Sequence, residues 1–221
     1  SAFRKMYLRY YFPVHKGSIA HKYAFMTLHL QPEASTSMLA PYHVNQVAVI
    51  ENISRALPLD WKLVVKPNKS MIGIDSINFF RHLKQIPNLI VTDYYANTRE
   101  LIENASAVIA ISGTSGLEAV LSGKMVILLG NEGIIWHCMD DVIKCTEWPK
   151  LHKILKTTGQ YKANDQRLAA YLQAVHDNTF GMEASYTWEG PYDLSHEGYG
   201  KAVEVIAEQL IQTFNDETDL S

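Results

Sequence analysis

The sequence predicts an α/β fold, a parallel sheet with helices on both faces, and two observations predict it. Leu63–Lys66 (LVVK), Ala107–Ile111 (AVIAI) and Met125–Leu129 (MVILL) are apolar at nearly every position. A strand with one wet face alternates apolar and polar residues, so these runs need cover on both faces. Between them lie stretches with apolar residues at helical spacing, and strands alternating with helices form βαβ units around a parallel sheet.

Element by element, Tyr23–Leu30 (YAFMTLHL) reads as a buried strand that ends in a polar loop, Gln31–Leu39. Pro41 is placed to open a helix at its first turn, with Val44, Val47, Ile50, Ile53 and Leu57 following at helical spacing. Leu63–Lys66 is the next strand, stopped by Pro67, and Ser76–Ile86 is a helix with Ile77, Phe80 and Leu83 on one face. Leu89–Val91 is a short strand, and Thr98–Asn104 a short helix capped by Asn97 or Thr98. After the strand Ala107–Ile111 a turn of small residues, Ser112-Gly113-Thr114-Ser115-Gly116, leads into a helix that runs to about Ser122, and Met125–Leu129 closes the alternating region. Beyond Gly130 the pattern turns helical, at Pro149–Thr157, Asp165–Asp177 and His196–Phe214, with an aromatic loop at Thr179–Leu194. The expected division is an N-terminal segment or linker over 1–22, one domain with flanking C-terminal helices over 23–214, and a frayed acidic tail over 215–221.

Composition narrows the function. With 221 residues, 47% hydrophobic and 19% charged, the chain can bury a real core and is not a disordered segment. A net charge of −3 offers no basic footprint for nucleic acid. Cys138 and Cys145 stand outside any CxxC pair and no histidine cluster has zinc spacing, so buried free thiols and no metal are expected, as in a reducing cytoplasm. No apolar run approaches the ~20 residues of a transmembrane helix.

In an open parallel sheet, ligands bind beyond the carboxyl ends of the strands. Three segments leave strands there with suitable groups. In Ser112–Ser115 the backbone N–H groups can approach an anion because Gly113 has no side chain, Ser112, Thr114 and Ser115 add hydroxyls, and Glu118 in the following helix can accept hydrogen bonds from a ribose diol. The same residues also make an ordinary strand-to-helix turn, and neither a Walker loop nor GxGxxG is present. His29 and Glu33 flank the first strand's end and can act as acid/base groups or ligand hydrogen-bonders, or His29 can be a satisfied core residue. Lys66, followed by Pro67 and Asn68, can neutralise a phosphate or stand solvated at a strand end.

In order along the chain, LHLQPEAST (Leu28–Thr36), the Asn45-Gln46 helix, LPLDWKLVVK (Leu57–Lys66), IPNLIV (Ile86–Val91), ELI (Glu100–Ile102) and SGTSGLEAVLSGKMVILLG (Ser112–Gly130) resemble the C-terminal half of the bacterial capsule polysaccharide synthesis family, which includes β-Kdo-type glycosyltransferases. The resemblance covers roughly half the chain. It implies one Rossmann-like half of a GT-B architecture, the half that holds the nucleotide-sugar donor, with CMP-linked donors among the candidates and no cofactor. It also implies that Ser112, Gly113, Thr114 and Ser115 hold donor oxygens, that Glu118 hydrogen-bonds the donor, and that His29, Gln31 and Glu33 line the cleft. A polysaccharide or glycolipid acceptor would be bound, and the catalytic base supplied, by an N-terminal domain missing from this chain. The implied place of work is the cytoplasm, including the inner-membrane face.

One position departs from the family pattern. Family members typically carry Lys-Glu-His-Pro after the second strand, where the His-Pro pair helps bind the nucleotide, whereas this chain reads Val65-Lys66-Pro67-Asn68. Lys66 and Asn68 then take over the contacts, or donor binding is altered. Two other readings stay open: a sugar-nucleotide epimerase-like domain, and a degenerate binding module without catalysis.

Overall fold

The computed structural model describes His15, residues 17–72, 74–130, Met139, residues 141–177 and Glu208. The chain divides into two compact units, Ser1–Asp165 and Gln166–Ser221.

Six strands form one sheet in the first unit: β1 (Tyr23–Thr27), β2 (Lys62–Lys66), β3 (Leu89–Val91), β4 (Ala107–Ala110), β5 (Val126–Leu128) and β6 (Val142–Lys144). Their order is β3-β2-β1-β4-β5-β6 and every pairing is parallel. This is a Rossmann-like doubly wound sheet, whose strand order reverses between β1 and β4. Among the described residues the α-helices are α1 (Ala34–Ser37), α2 (Gln46–Ala56), α3 (Ile77–Lys84), α4 (Thr98–Glu103), α5 (Ser115–Leu121), α6 (Trp148–Lys156) and α7 (Asp165–Asp177).

Burial follows the two-residue period of the strands. One core takes Ala24 and Met26, Leu63 and Val65, Ala107 and Ile109, and Ile127, and packs them against Ile50 and Ile53 of α2, Leu83 of α3 and Leu151 and Leu155 of α6. The intervening Phe25, Val64, Val108 and Val126 are also fully buried. They point to the opposite face, where Tyr23 donates its hydroxyl to the Leu101 carbonyl of α4 at 2.8 Å. Both faces are covered, as uniformly apolar strands require.

Several boundaries differ from the sequence expectation. Pro41 opens a 3-10 turn, Pro41–His43, while α2 starts after Asn45, whose side chain accepts the Ala48 N–H at 3.2 Å. The buried face of α2 therefore carries Gln46, Val49, Ile50, Ile53, Ser54 and Ala56, and Val44 is exposed. In α3, Phe80 and Leu83 are buried but Ile77 is only half-buried. β6 was not expected at all; it is three residues long and only Val142 is buried. Asn97 caps α4, accepting the N–H groups of Arg99 and Glu100. After α5 the chain reverses through Gly123 at φ +67°, with Gly123 N–H on Val120 O and Lys124 N–H on Ala119 O; this helix-ending pattern favours glycine. Of the helix expected at 196–214 only Glu208 is described, and it is helical, while the aromatic loop, the tail and Cys138 lie outside the described residues. Cys145 is a buried free thiol.

Candidate functional site

A cleft of about 410 Å³ opens where the strand order reverses, at the carboxyl ends of β1, β2 and β4. It gathers His29, Glu33, Lys66, Asn68, Ser112, Gly113, Thr114, Ser115 and Glu118, nine of the ten residues expected from the sequence. Gln31 is the exception: its amide donates to Val44 O at 2.5 Å and it lines a neighbouring chamber. Thr27, Ser35, Lys69 and Thr98 complete the cleft without having been expected. They come from four separate elements and no local motif marks them.

β1 delivers His29 only 8% exposed. Gln46 fixes its backbone from both sides, accepting the His29 N–H at 2.8 Å and donating to the His29 carbonyl at 3.1 Å. A buried glutamine is tolerated at the start of α2 because both ends of its amide are satisfied. On the imidazole, Nδ1 faces Glu33 Oε2 at 3.3 Å and Ser35 Oγ at 3.2 Å. Nε2 lies over Gly113: a β-carbon there would sit 3.3 Å from His29 Cε1 and 3.5 Å from Nε2. Gly113 thus leaves room for the ring, and the ring's second nitrogen is held next to the turn.

The turn is braced from two sides. Ser112 Oγ donates to Ser35 O at 2.9 Å, and Thr27 Oγ1 and Ser115 Oγ share a hydrogen bond of 2.8 Å. Gly116 N–H is taken by Gly113 O at 3.1 Å, whereas the N–H groups of Gly113, Thr114 and Ser115 have no partner among the described residues. Those three are the donors that an anion would meet.

Lys66 is 8% exposed, which corrects the alternative of a solvated lysine at a strand end. Its ammonium takes part in no ion pair or hydrogen bond among the described residues. Burial lowers its pKa below the ordinary 10.5, Lys69 lowers it further, and Glu118 and Asp93 pull the other way. Lys69 itself lies 5.6 Å over the Tyr95 ring. An unpaired, partly desolvated cation that shares a cleft with three unused N–H groups is an arrangement that a bound anion would complete. Asn68 spends its side-chain oxygen on the Ser70 N–H at 2.9 Å, which leaves its amide NH2 to the cleft.

Burial also holds His29 below its ordinary 6.5, against the opposing pull of Glu33. The unfolded chain therefore takes up this proton at higher pH than the folded chain does. The stability tied to neutral His29 is complete above about pH 6.5 and lost as pH falls through the lower folded value. The melting temperature should fall between about pH 7.5 and about pH 5.5, and fall less in His29→Gln. His43, likewise held low by burial, keeps part of the slope in the variant. An equal slope in both proteins would mean that His29 titrates as in the unfolded chain.

Among the described residues no group of histidine, cysteine, aspartate or glutamate side chains is placed to hold a metal ion, and no helix is long and apolar enough to cross a membrane.

No family model matches the sequence, and no curated protein matches it. Among solved structures, the UDP-GlcNAc 2-epimerase of Methanocaldococcus jannaschii shares the fold, with a TM-score of 0.50 at 18% identity over 74% of this chain and 43% of that one. KpsC of Thermosulfurimonas dismutans, a β-Kdo 2,7 transferase, matches at a TM-score of 0.47 and 14% identity, over 80% of this chain and 61% of its own. The chain therefore spans 43% to 61% of the length of these two proteins, and what it has in common with the epimerase at this identity is the fold.

Proposed function

We propose that this chain is the nucleotide-sugar-binding half of a glycosyltransferase that builds capsule or another surface polysaccharide. The observation that carries the reading is Lys66, buried and unpaired in the cleft at the strand-order reversal, with the bare N–H groups of Gly113–Ser115 in the same cleft. Together they suit donor phosphate oxygens, and Glu118 in the same cleft suits the ribose diol. On this reading the sugar leaves the nucleotide by displacement at the anomeric carbon. Lys66 and the turn stabilise the charge that develops on the departing phosphate, which is where fixed donors lower a barrier most. A second, facing domain binds the polysaccharide or glycolipid acceptor and supplies the catalytic base, and the work is done in the cytoplasm, including the inner-membrane face.

The break in the family pattern at Pro67-Asn68 supports a second reading, a non-catalytic module with the same fold, because the capping bond of Asn68 leaves it fewer groups to offer a nucleotide. Calorimetric titration of the chain with CMP, UDP, CDP and GDP separates the two. Saturable binding of one nucleotide is expected, with Gly113→Val at least about 10-fold weaker, since the added side chain displaces His29 and crowds the turn. A folded chain that binds none of the four overturns the donor-site reading in favour of the module.

A further inference from the structure

We propose that Lys66 is a modification site: an acyl phosphate whose phosphate docks on the Gly113–Ser115 turn transfers its acyl group to Lys66 Nζ, and the acylated cleft no longer takes nucleotide. The inference rests on the reading of this cleft as a phosphate site and adds a way in which that site is shut.

Acyl transfer to a lysine needs an uncommitted amine, in its neutral form, next to a held acyl group. Lys66 is 8% exposed, lines the cleft, and takes part in no ion pair or hydrogen bond among the described residues. Lys69, the other lysine of the cleft, is exposed and holds its ammonium 5.6 Å over the Tyr95 ring. Only the free base has a lone pair to give. Burial and the charge of Lys69 favour that form of Lys66, and Glu118 and Asp93 oppose them. A phosphate on the unused N–H groups of Gly113, Thr114 and Ser115 keeps its acyl end inside the cavity that Lys66 lines. Reactants held in one cavity meet far more often than reactants colliding from solution. At about 410 Å³ the cleft admits a small acyl phosphate.

The step balances without a further reactant. The amine lone pair attacks the acyl carbon and forms a C–N bond. The C–O bond to phosphate breaks with its electron pair left on the phosphate oxygen, and the departing phosphate takes the proton that the amine gives up. The products are an amide at Nζ and inorganic phosphate. The N–H groups that hold the phosphate also stabilise the charge that grows on it as it leaves. Because the amide is neutral, the cleft loses the cation that would meet a nucleotide's phosphates. A bound nucleotide in turn covers the turn and Lys66, so occupancy and acylation exclude each other.

The test incubates the full chain with acetyl phosphate or with N-hydroxysuccinimidyl acetate, which carries the same acyl group and no phosphate. Peptide mass spectrometry maps the acetylated lysines, and calorimetry measures the binding of inorganic phosphate alongside. With acetyl phosphate, Lys66 is expected to react about 10-fold or more faster than Lys69 and the exposed Lys153. The phosphate-free reagent should lose most of that preference, and so should acetyl phosphate in the presence of excess inorganic phosphate or with Gly113→Val. The Lys66-acetylated chain should bind the preferred nucleotide at least about 10-fold more weakly. No preference for Lys66, an equal preference with both reagents, or an unchanged nucleotide affinity after acetylation each overturns the inference. The calorimetry then separates the two layers. A folded chain that still binds inorganic phosphate keeps the anion site, and one that binds neither phosphate nor nucleotide loses that reading as well.

Discussion

Gly130→Ala is expected to destabilise the first unit by about 2–3 kcal/mol, from a single added methyl group. Gly130 follows β5, and its N–H donates to Ile111 O at 3.0 Å, joining the ends of β5 and β4. A β-carbon at this position would sit 2.4 Å from that same carbonyl oxygen and 3.3 Å from Ala40 Cβ. The obstacle is backbone, so no side-chain rotation relieves it. Either the strand ends part and lose their hydrogen bond, or Ile111 shifts and carries Ser112 and Gly113 with it. Urea unfolding should show a lower midpoint with an unchanged slope, which marks a change of stability rather than of the surface exposed. Gly159→Ala is the control: nothing lies within 4 Å of a β-carbon there, and a change within about 0.5 kcal/mol is expected. If Gly130→Ala proves as mild as Gly159→Ala, β4 and β5 do not approach each other this closely.

Where local chemistry decided the outcome, the sequence was legible. AVIAI and LVVK are apolar on both faces and became interior strands, and the small residues after β4 could only be a tight turn, so the glycine end of the cleft was readable in advance. Errors arose where a distant partner decided it. Of the expected apolar stripe Val44, Val47, Ile50, Ile53 and Leu57 the last three are buried, but Val44 is exposed and Val47 half-buried, while Gln46 and Ser54 turn inward. They are buried because His29 and Asn88 satisfy their polar atoms, and those partners lie 17 and 34 residues away. β6 escaped notice because three residues with one buried side chain carry no periodicity; pairing with β5 defines it. Thr27 and Ser35 reach the cleft only because β1 and β4 are neighbours in the sheet and α1 folds back over them, which no window of sequence contains. The burial of Lys66 is of the same kind. A lysine between Val65 and Pro67 reads as a strand end, and the elements converging on the reversal point enclose it.

That burial sets the terms of the second large effect. Lys66→Met should weaken binding of the preferred nucleotide by roughly 10–100-fold, the range for losing one charged hydrogen-bond donor. It should leave the stability of the free chain unchanged or raise it, because the wild-type ammonium is partly desolvated and has no ion-pair partner among the described residues. Opposite signs for binding and stability distinguish a residue kept for a ligand from one kept for packing. The pH dependence adds an independent sign. With its pKa held below 10.5, Lys66 of the free chain gives up its proton in a range where the unfolded chain still binds one. Stability tied to this residue should therefore rise with pH through that range, while nucleotide affinity falls because the anion loses its counter-charge. Lys66→Arg, whose charge persists, should flatten the alkaline fall in affinity. Calorimetry and thermal unfolding on the three proteins between about pH 7 and about pH 10 read both slopes. A Met variant that loses stability and affinity together would mean that Lys66 works as a strut of the fold. The phosphates would then have to be held by the Gly113–Ser115 turn alone.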